Sequence, residues 1–157
     1  MAAPGDRKLV ATHRKARFEY EILETVEAGI ALLGPEVKSL RAGNASLADA
    51  YAVVRRDEVW LVGAHISPYA QASRENPDPR RERKLLLHRA EIDRLGGRVA
   101  ERGLTLVPLQ LYFRNGRAKV ELALARGRRH HDKRDVIRER EEERMVRRAV
   151  RARGRRA

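Results

Sequence analysis

The chain of 157 residues contains no cysteine. That absence excludes disulfide staples, iron–sulfur clusters and thiolate zinc sites, and it suits a reducing compartment. Long apolar runs are also missing, and no stretch approaches the roughly 20 residues that span a bilayer as a helix. The opening residues, MAAPGDRKLVATHRKARF, are charged throughout and lack the apolar segment of a signal peptide. The expectation is a soluble, cytoplasmic protein with no membrane partner.

Catalytic groups are equally sparse. The histidines are His13, His65, His88 and the adjacent His130 and His131. No two of them stand at the HxH or HxxxH spacing that puts two imidazoles on one metal. No glycine-rich loop follows a strand, and no nucleophile elbow is present. A reaction site needs converging groups, and none converge here. The expectation is a protein that is not an enzyme, with no cofactor and no metal.

What the chain has in excess is positive charge. Its formal net charge is +13, unevenly spread: residues 1–125 hold 21 Lys+Arg against 16 Asp+Glu, whereas residues 126–157 hold 14 against 6. A long polyanion is the natural partner of such asymmetry. The join is the stretch Ala125-Arg-Gly-Arg-Arg-His-His-Asp-Lys-Arg-Asp135, after which apolar residues become rare.

Patterning divides the chain into three parts: a flexible arm over 1–16, a body over 17–126 and a basic tail over 127–157. In the body, Phe18, Tyr20 and Ile22 alternate with Glu19 and Glu21, the period of a strand with one wet face. Glu27-Ala-Gly29 reads as a turn, with Ile30–Leu33 as a short buried strand beyond it. Gly34-Pro35 then opens a helix to Ala42, with Val37 and Leu40 facing inward and Lys38 and Arg41 outward. Tyr51–Val54 and Val59–Val62 form a hairpin across a four-residue loop. A loop rich in proline runs from His65 to about Arg83. Ile92, Leu95 and Val99 mark a helix over about 89–102, in which Gly96-Gly97 predicts a bend or close packing. The last hairpin has a phase shift at Val107-Pro108, the mark of a β-bulge, and a type I′ turn at Asn115-Gly116.

About six strands in hairpins, with two or three helices and no βαβ alternation, predict a mainly β protein. The expected body is an OB-like antiparallel β-barrel with peripheral α-helices. The tail carries a thin stripe of Met145, Val146, Ala149 and Val150, with many like-charged pairs at i,i+4. It is expected to be disordered alone and helical against a polyanion.

RNA contacts are expected from Lys38, Arg41, Arg80, Arg81, Arg83, Lys84, Arg114, Arg117 and Lys119, all assigned to loops, turns or wet faces. Tyr20, Tyr51 and Trp60 are candidates to stack on bases, with core packing as the competing role. His88, following three leucines, reads as a buried histidine. His130 and His131, among arginines with no apolar face to hide in, are suited to stack on a base or touch phosphate.

Taken in order, these segments resemble the small protein B family, the SsrA-binding proteins that partner tmRNA in bacterial ribosome rescue. The resemblance is carried by Arg14-Lys-Ala-Arg17, Glu27-Ala-Gly29, Glu36-Val-Lys-Ser-Leu-Arg-Ala-Gly43, Val59-Trp-Leu61 and Ala64-His-Ile-Ser-Pro68. It continues through Asp78-Pro-Arg80, Arg83-Lys-Leu-Leu-Leu-His88, Gly103-Leu-Thr-Leu-Val-Pro108 and Asp132-Lys-Arg134. The resemblance implies an oligonucleotide-binding barrel that holds the tRNA-like domain of tmRNA through Glu27, Leu86, His88 and Lys119, and the outward cations Lys38 and Arg41 are assigned to the same tmRNA site. It implies delivery of tmRNA to stalled ribosomes, with the tail occupying the empty mRNA channel of the small subunit. There Gly127 is the hinge, His131 stacks in the decoding centre, and Lys133 and Arg134 hold ribosomal RNA phosphates. Elongation factor Tu and alanyl-tRNA synthetase are implied as partners reached through tmRNA.

The tail departs from the family pattern at Glu142, where an aromatic can occur, and at Ala149, where a larger aliphatic is common. A different ribosome-associated OB-fold translation factor is the alternative reading. A nucleotide hydrolase and a membrane-surface binder are disfavoured by the missing metal constellation and the thin apolar stripe respectively.

Overall fold

The computed structural model describes residues 7–70, 76–101, 103–128 and 130–155. In chain order the elements are β1 (Arg7–Thr12), α1 (Ala16–Glu19), β2 (Tyr20–Ile30), α2 (Gly34–Arg41), β3 (Ala45–Ser46), β4 (Tyr51–Arg55) and β5 (Glu58–Val62). They continue with β6 (His65–Ile66), β7 (Arg83–Leu86), α3 (Arg89–Val99), β8 (Leu104–Arg114), β9 (Arg117–Gly127) and α4 (His130–Arg155). Seven strands form one antiparallel sheet, and β3 and β6 form a small second one.

The large sheet closes on itself. β8 pairs with β9 along one edge, and with β1 and β4 along the other. From β9 the pairing runs through β2, β7 and β5 back to β4. The ring is closed by short pairings as well as long ones: β2 meets β7 only at Gly29 and Ile30, and β1 pairs with β8 alone. The interior is filled by leucines from every side, among them Leu61, Leu85, Leu106, Leu111, Leu122 and Leu124, with Leu40 of α2 and Leu95 of α3 joining the same cluster. Each such side chain contributes roughly 1.5–3 kcal/mol by leaving water. The expected class, mainly β with an antiparallel barrel and helices around it, is what the structure shows.

Several local expectations change. Part of the stretch expected to be a flexible arm is strand β1, which continues the sheet along β8 with Lys8 opposite Phe113. Glu27-Ala-Gly29 is no turn, because β2 runs unbroken through it with Ala28 opposite Val120. Gly29 serves close approach instead: a Cβ there would lie 3.2 Å from Cβ of Leu86 on β7. Leu33, expected in a buried strand, is half exposed at the start of α2.

The loop between β4 and β5 is a two-residue turn rather than four. Arg56 and Asp57 both take positive φ (50° and 63°), the type I′ geometry. The turn at Asn115-Gly116 has the same geometry, as expected. The bulge in β8 lies between Pro108 and Gln110, so Leu109 is the extra residue. Leu109 therefore joins Val107 in a second apolar cluster with Ala16, Ala123 and Ala125, not the phase of Leu111 and Phe113. Helix α3 runs without interruption through Gly96-Gly97; a Cβ at Gly96 would meet Val54 at an ordinary 3.6 Å, and one at Gly97 would meet nothing.

The tail forms helix α4 over His130–Arg155. At 26 residues it exceeds the roughly 12–15 at which isolated helices become marginal, and its Arg, Glu and Ala are strong helix formers. Met145, Val146 and Val150 are 63–68% exposed, so the apolar stripe covers nothing on the barrel.

One buried ion cluster ties the periphery to the barrel. Glu36, in the first turn of α2, is 2% exposed, and Arg83 of β7 is 0% exposed. Arg83 donates through Nε to Glu36 Oε2 at 2.6 Å, through Nη1 to the carbonyl of Ala64 at 2.9 Å and through Nη2 to that of Pro79 at 3.0 Å. Arg81 donates to both carboxylate oxygens of Glu36, and the Leu33 N–H donates to Oε1 at 2.9 Å. Arg81 and Arg83, expected among the RNA-facing cations, are thus engaged inside the fold. Burial alone would push the Glu36 carboxyl up, but the hydrogen bonds from Arg81, Leu33 and Arg83 outweigh it and hold it below the ordinary value.

Removing one member of a buried, hydrogen-bonded ion cluster strands the others. Glu36→Gln should therefore cost roughly 3 kcal/mol of stability in urea unfolding at neutral pH. Because the folded-state value lies below the ordinary 4.5, the wild-type contribution is complete above that pH and fades as pH falls through the folded value. The gap between wild type and variant should accordingly shrink in acid. A gap independent of pH would show that Glu36 is not the titrating group.

Candidate nucleic-acid interface

Among the residues expected to meet RNA, Leu86, Lys119 and Arg41 come together at one region of the barrel. Leu86 closes β7 and is 52% exposed, its side chain against Gly29 of β2. Lys119 of β9 pairs in register with Gly29 on one side and Tyr112 of β8 on the other. Gly29, Leu86 and Lys119, with Phe113 and Arg117, border a shallow depression of about 360 Å³. Arg41 enters the same region from α2, its guanidinium carbon 5.0 Å from the centroid of the Phe113 ring. The depression therefore has an apolar floor and cationic rims, which suits a base or ribose between phosphates.

Two of the expected contacts sit differently. Lys38, on the same helix, turns toward the loop after β6, with Nζ 5.5 Å from the centroid of the Tyr69 ring. His88 is exposed at the cap of α3, two residues beyond Leu86, not buried as its leucine neighbours suggested. Its N–H donates to Glu91 Oε1 at 3.4 Å, and its ring stands at the surface.

Glu27 is the acidic member of the group and the most tightly held. Its Oε2 accepts from the Tyr112 hydroxyl at 2.6 Å and from Arg114 Nη1 at 3.0 Å. Partial burial would raise this carboxyl, but the bonds from Tyr112 and Arg114 and the charge of Lys119 more than offset it, so it stays ionised below the ordinary carboxylate range. Tyr112 is buried, and burial together with Glu27 pushes its phenol well above the usual value. Its ring lies under Arg7 of β1, whose guanidinium carbon is 3.7 Å from the ring centroid. Arg7 is held in turn by Gln110 and by Glu121 at 2.9 Å.

The cations sort by occupation. Arg80, Arg81, Arg83, Lys84 and Arg114 are each paired with a carboxylate. Lys38, Arg41, Arg117 and Lys119 form no ion pair among the described residues, which leaves their charge for an external anion. Charge and patterning alone point to Arg41 and Lys119 as RNA contacts, whereas Glu27 and Leu86 join them only through the family resemblance. Sequence reasoning missed Arg7, Tyr112 and Phe113 as parts of the site. The available signal was an aromatic in the polar phase of β8, where Gln110, Tyr112 and Arg114 share one face.

The second group lies at the far end of β9. Gly127 is that strand's last residue and pairs with Tyr20. Its φ is ordinary and a Cβ would meet nothing within 4 Å, so this conformation does not itself demand glycine. The next residue, Arg128, is tied back by its N–H to the carbonyl of Glu19 at 2.8 Å. Arg129 lies outside the described residues, as do the side chains of His131 and Lys133, whose backbone belongs to α4. Arg134 is exposed.

Among the described residues no group of three or more carboxylate or imidazole side chains converges as a metal site, and no helix is long and apolar enough to cross a membrane.

The family model described as SmpB protein matches residues 10–152. The SsrA-binding protein of Acidothermus cellulolyticus is 58% identical over 150 residues, covering 96% of this chain and 94% of that protein. The SsrA-binding protein of Mycobacterium leprae is 57% identical over 153 residues, covering 98% and 94% respectively. A solved chain from a structure described as "tmRNA-SmpB: a journey to the center of the bacterial ribosome" superposes with a TM-score of 0.65 at 52% identity, over 81% of this chain and 93% of that one. On the family match and on these identities over nearly its whole length, the chain belongs to the SmpB family.

Proposed function

We propose that this protein binds the tRNA-like domain of tmRNA and brings it to stalled ribosomes, where the nascent chain is tagged and the ribosome released. The observation that carries this is the depression between β2, β7 and β9, with exposed Leu86 beside Lys119 and Arg117 and with Arg41 at Phe113. Cations that form no ion pair among the described residues, around an apolar floor, match an RNA surface read by shape and backbone. The names borne by the relatives and by the superposed ribosome structure support the same partner. Glu27, Lys38, Arg41, Leu86, His88 and Lys119 form the tmRNA side of the site, with Lys38 and His88 at its margins.

The ribosomal side belongs to the tail. In this reading Gly127 lets α4 reorient, His131 stacks in the decoding centre, Lys133 and Arg134 hold rRNA phosphates, and the helix lies in the mRNA channel. Support comes from the tail's charge excess and from an exposed helix whose stripe has no cover on the barrel. The protein acts in the cytoplasm by binding alone and carries out no chemistry of its own. It meets elongation factor Tu and alanyl-tRNA synthetase through tmRNA.

The two activities should separate. Lys119→Glu should weaken binding of the tRNA-like domain about tenfold and lower the salt slope by about one, as expected on losing one phosphate contact. For the wild type, about six neutralised phosphates give a log–log salt slope near −5. An unchanged slope in the variant would remove Lys119 from the interface. Deleting residues 133–157 should leave that affinity intact while abolishing tagging in a stalled-ribosome assay. Equal loss of both activities would refute the division of labour. His131→Ala should slow peptidyl transfer to charged tmRNA with near-normal complex formation, and an unaltered rate would sink the stacking role.

A further inference from the structure

A carboxylate in the middle of a cationic RNA site is unusual, because it repels the phosphates that its neighbours attract. At Glu27 the two oxygens are treated differently. Oε2 is saturated by the Tyr112 hydroxyl and Arg114 Nη1. Oε1 makes no hydrogen bond among the described residues, and the residue is exposed. The donors on Oε2 are themselves braced. Arg7 lies flat over the Tyr112 ring and is anchored by Gln110 and Glu121. The brace begins on the first strand and reaches the site through the outer face of β8.

From this geometry we propose that Tyr112, clamped by Arg7, is a positioning residue for RNA recognition: it fixes Glu27 so that Oε1 presents one free acceptor to a hydrogen-bond donor of the RNA. The donor is a ribose 2′-hydroxyl or a base amino group, the RNA groups that a carboxylate can accept from. The inference rests on the reading of Glu27 as a tmRNA contact and deepens it. Two features of the arrangement favour it over a purely structural role. The hydroxyl is spent on a surface carboxylate and not on the barrel interior. The carboxylate is also kept ionised, which leaves Oε1 an acceptor only. Arg114 and Lys119 beside it offset its repulsion of flanking phosphates, so the site admits a donor between two anions and disfavours an anion at the centre.

The test is a double-mutant cycle on the full chain, read as affinity for a tRNA-like-domain transcript. Tyr112→Phe keeps the ring under Arg7 and removes only the hydroxyl. It should weaken binding about tenfold in the wild-type background and less than twofold in a Glu27→Ala background. Carbon-13 NMR titration of the Glu27 carboxyl should show its midpoint rising toward the ordinary glutamate value in Tyr112→Phe, and thermal unfolding should establish that the variant is folded. Equal losses in both backgrounds would mean that the hydroxyl acts through general stability, and the inference fails. If Glu27→Ala weakens binding while Tyr112→Phe binds like wild type, the inference fails alone and Glu27 keeps its place. If Glu27→Ala itself binds like wild type, the contact and the inference fall together.

Discussion

The fold depends on a buried salt bridge more than on any single apolar contact. Glu36 and Arg83 are enclosed together, and Arg83 spends its remaining donors on the carbonyls of Ala64 and Pro79. Four separate pieces of chain therefore meet at one guanidinium: the start of α2, the turn after β5, the end of the proline-rich loop and β7. Buried ion pairs are weak sources of net stability, since desolvation consumes most of the Coulomb gain. What this one supplies is geometry. It sets α2 against β7, the elements that carry Arg41 and Leu86. An apolar substitute of equal volume would fill the space without fixing that relation.

The legibility of the sequence follows the range of the forces involved. Hairpins and helices were readable because alternation and turn chemistry act over a few residues. The β8–β9 hairpin, with its Asn115-Gly116 turn, is the clearest case. Expectations failed where a distant partner decides. Gly29 looked like a turn residue because its constraint, the nearness of Leu86 on β7, lies more than fifty positions away in the chain. Arg83 looked like a surface cation because nothing local announces a buried glutamate on α2. The bulge lies at Leu109, one to two residues past the shift that patterning places at Val107-Pro108, because a single displaced residue is resolved poorly by periodicity.

The site was less legible than the fold. Charge asymmetry pointed to a polyanion, and the family resemblance supplied most of the positions. Without the structure, however, the nine body cations were indistinguishable. Their pairing separates them: Arg81 and Arg83 meet the buried Glu36, whereas Lys38, Arg41, Arg117 and Lys119 form no ion pair among the described residues. Tyr112 was invisible for a related reason. An aromatic among Leu111 and Phe113 looks like core until Arg7 is seen lying on its outer side.

The pairing of β1 with β8 has a consequence for synthesis of the chain. Arg7 stands opposite Arg114, so the first strand is made about a hundred residues before its partner. At roughly 5–20 residues per second it must wait on the order of 5–20 s for that partner to be polymerised. During that interval the ring cannot close, since β8 is also the strand to which β4 and β9 attach. Barrel closure is thus a late event of translation, and the brace on Glu27 forms only when nearly the whole body has left the ribosome. The RNA-reading end is among the last parts of the body to be completed, so a chain interrupted within the barrel would carry Glu27 without the residues that position it.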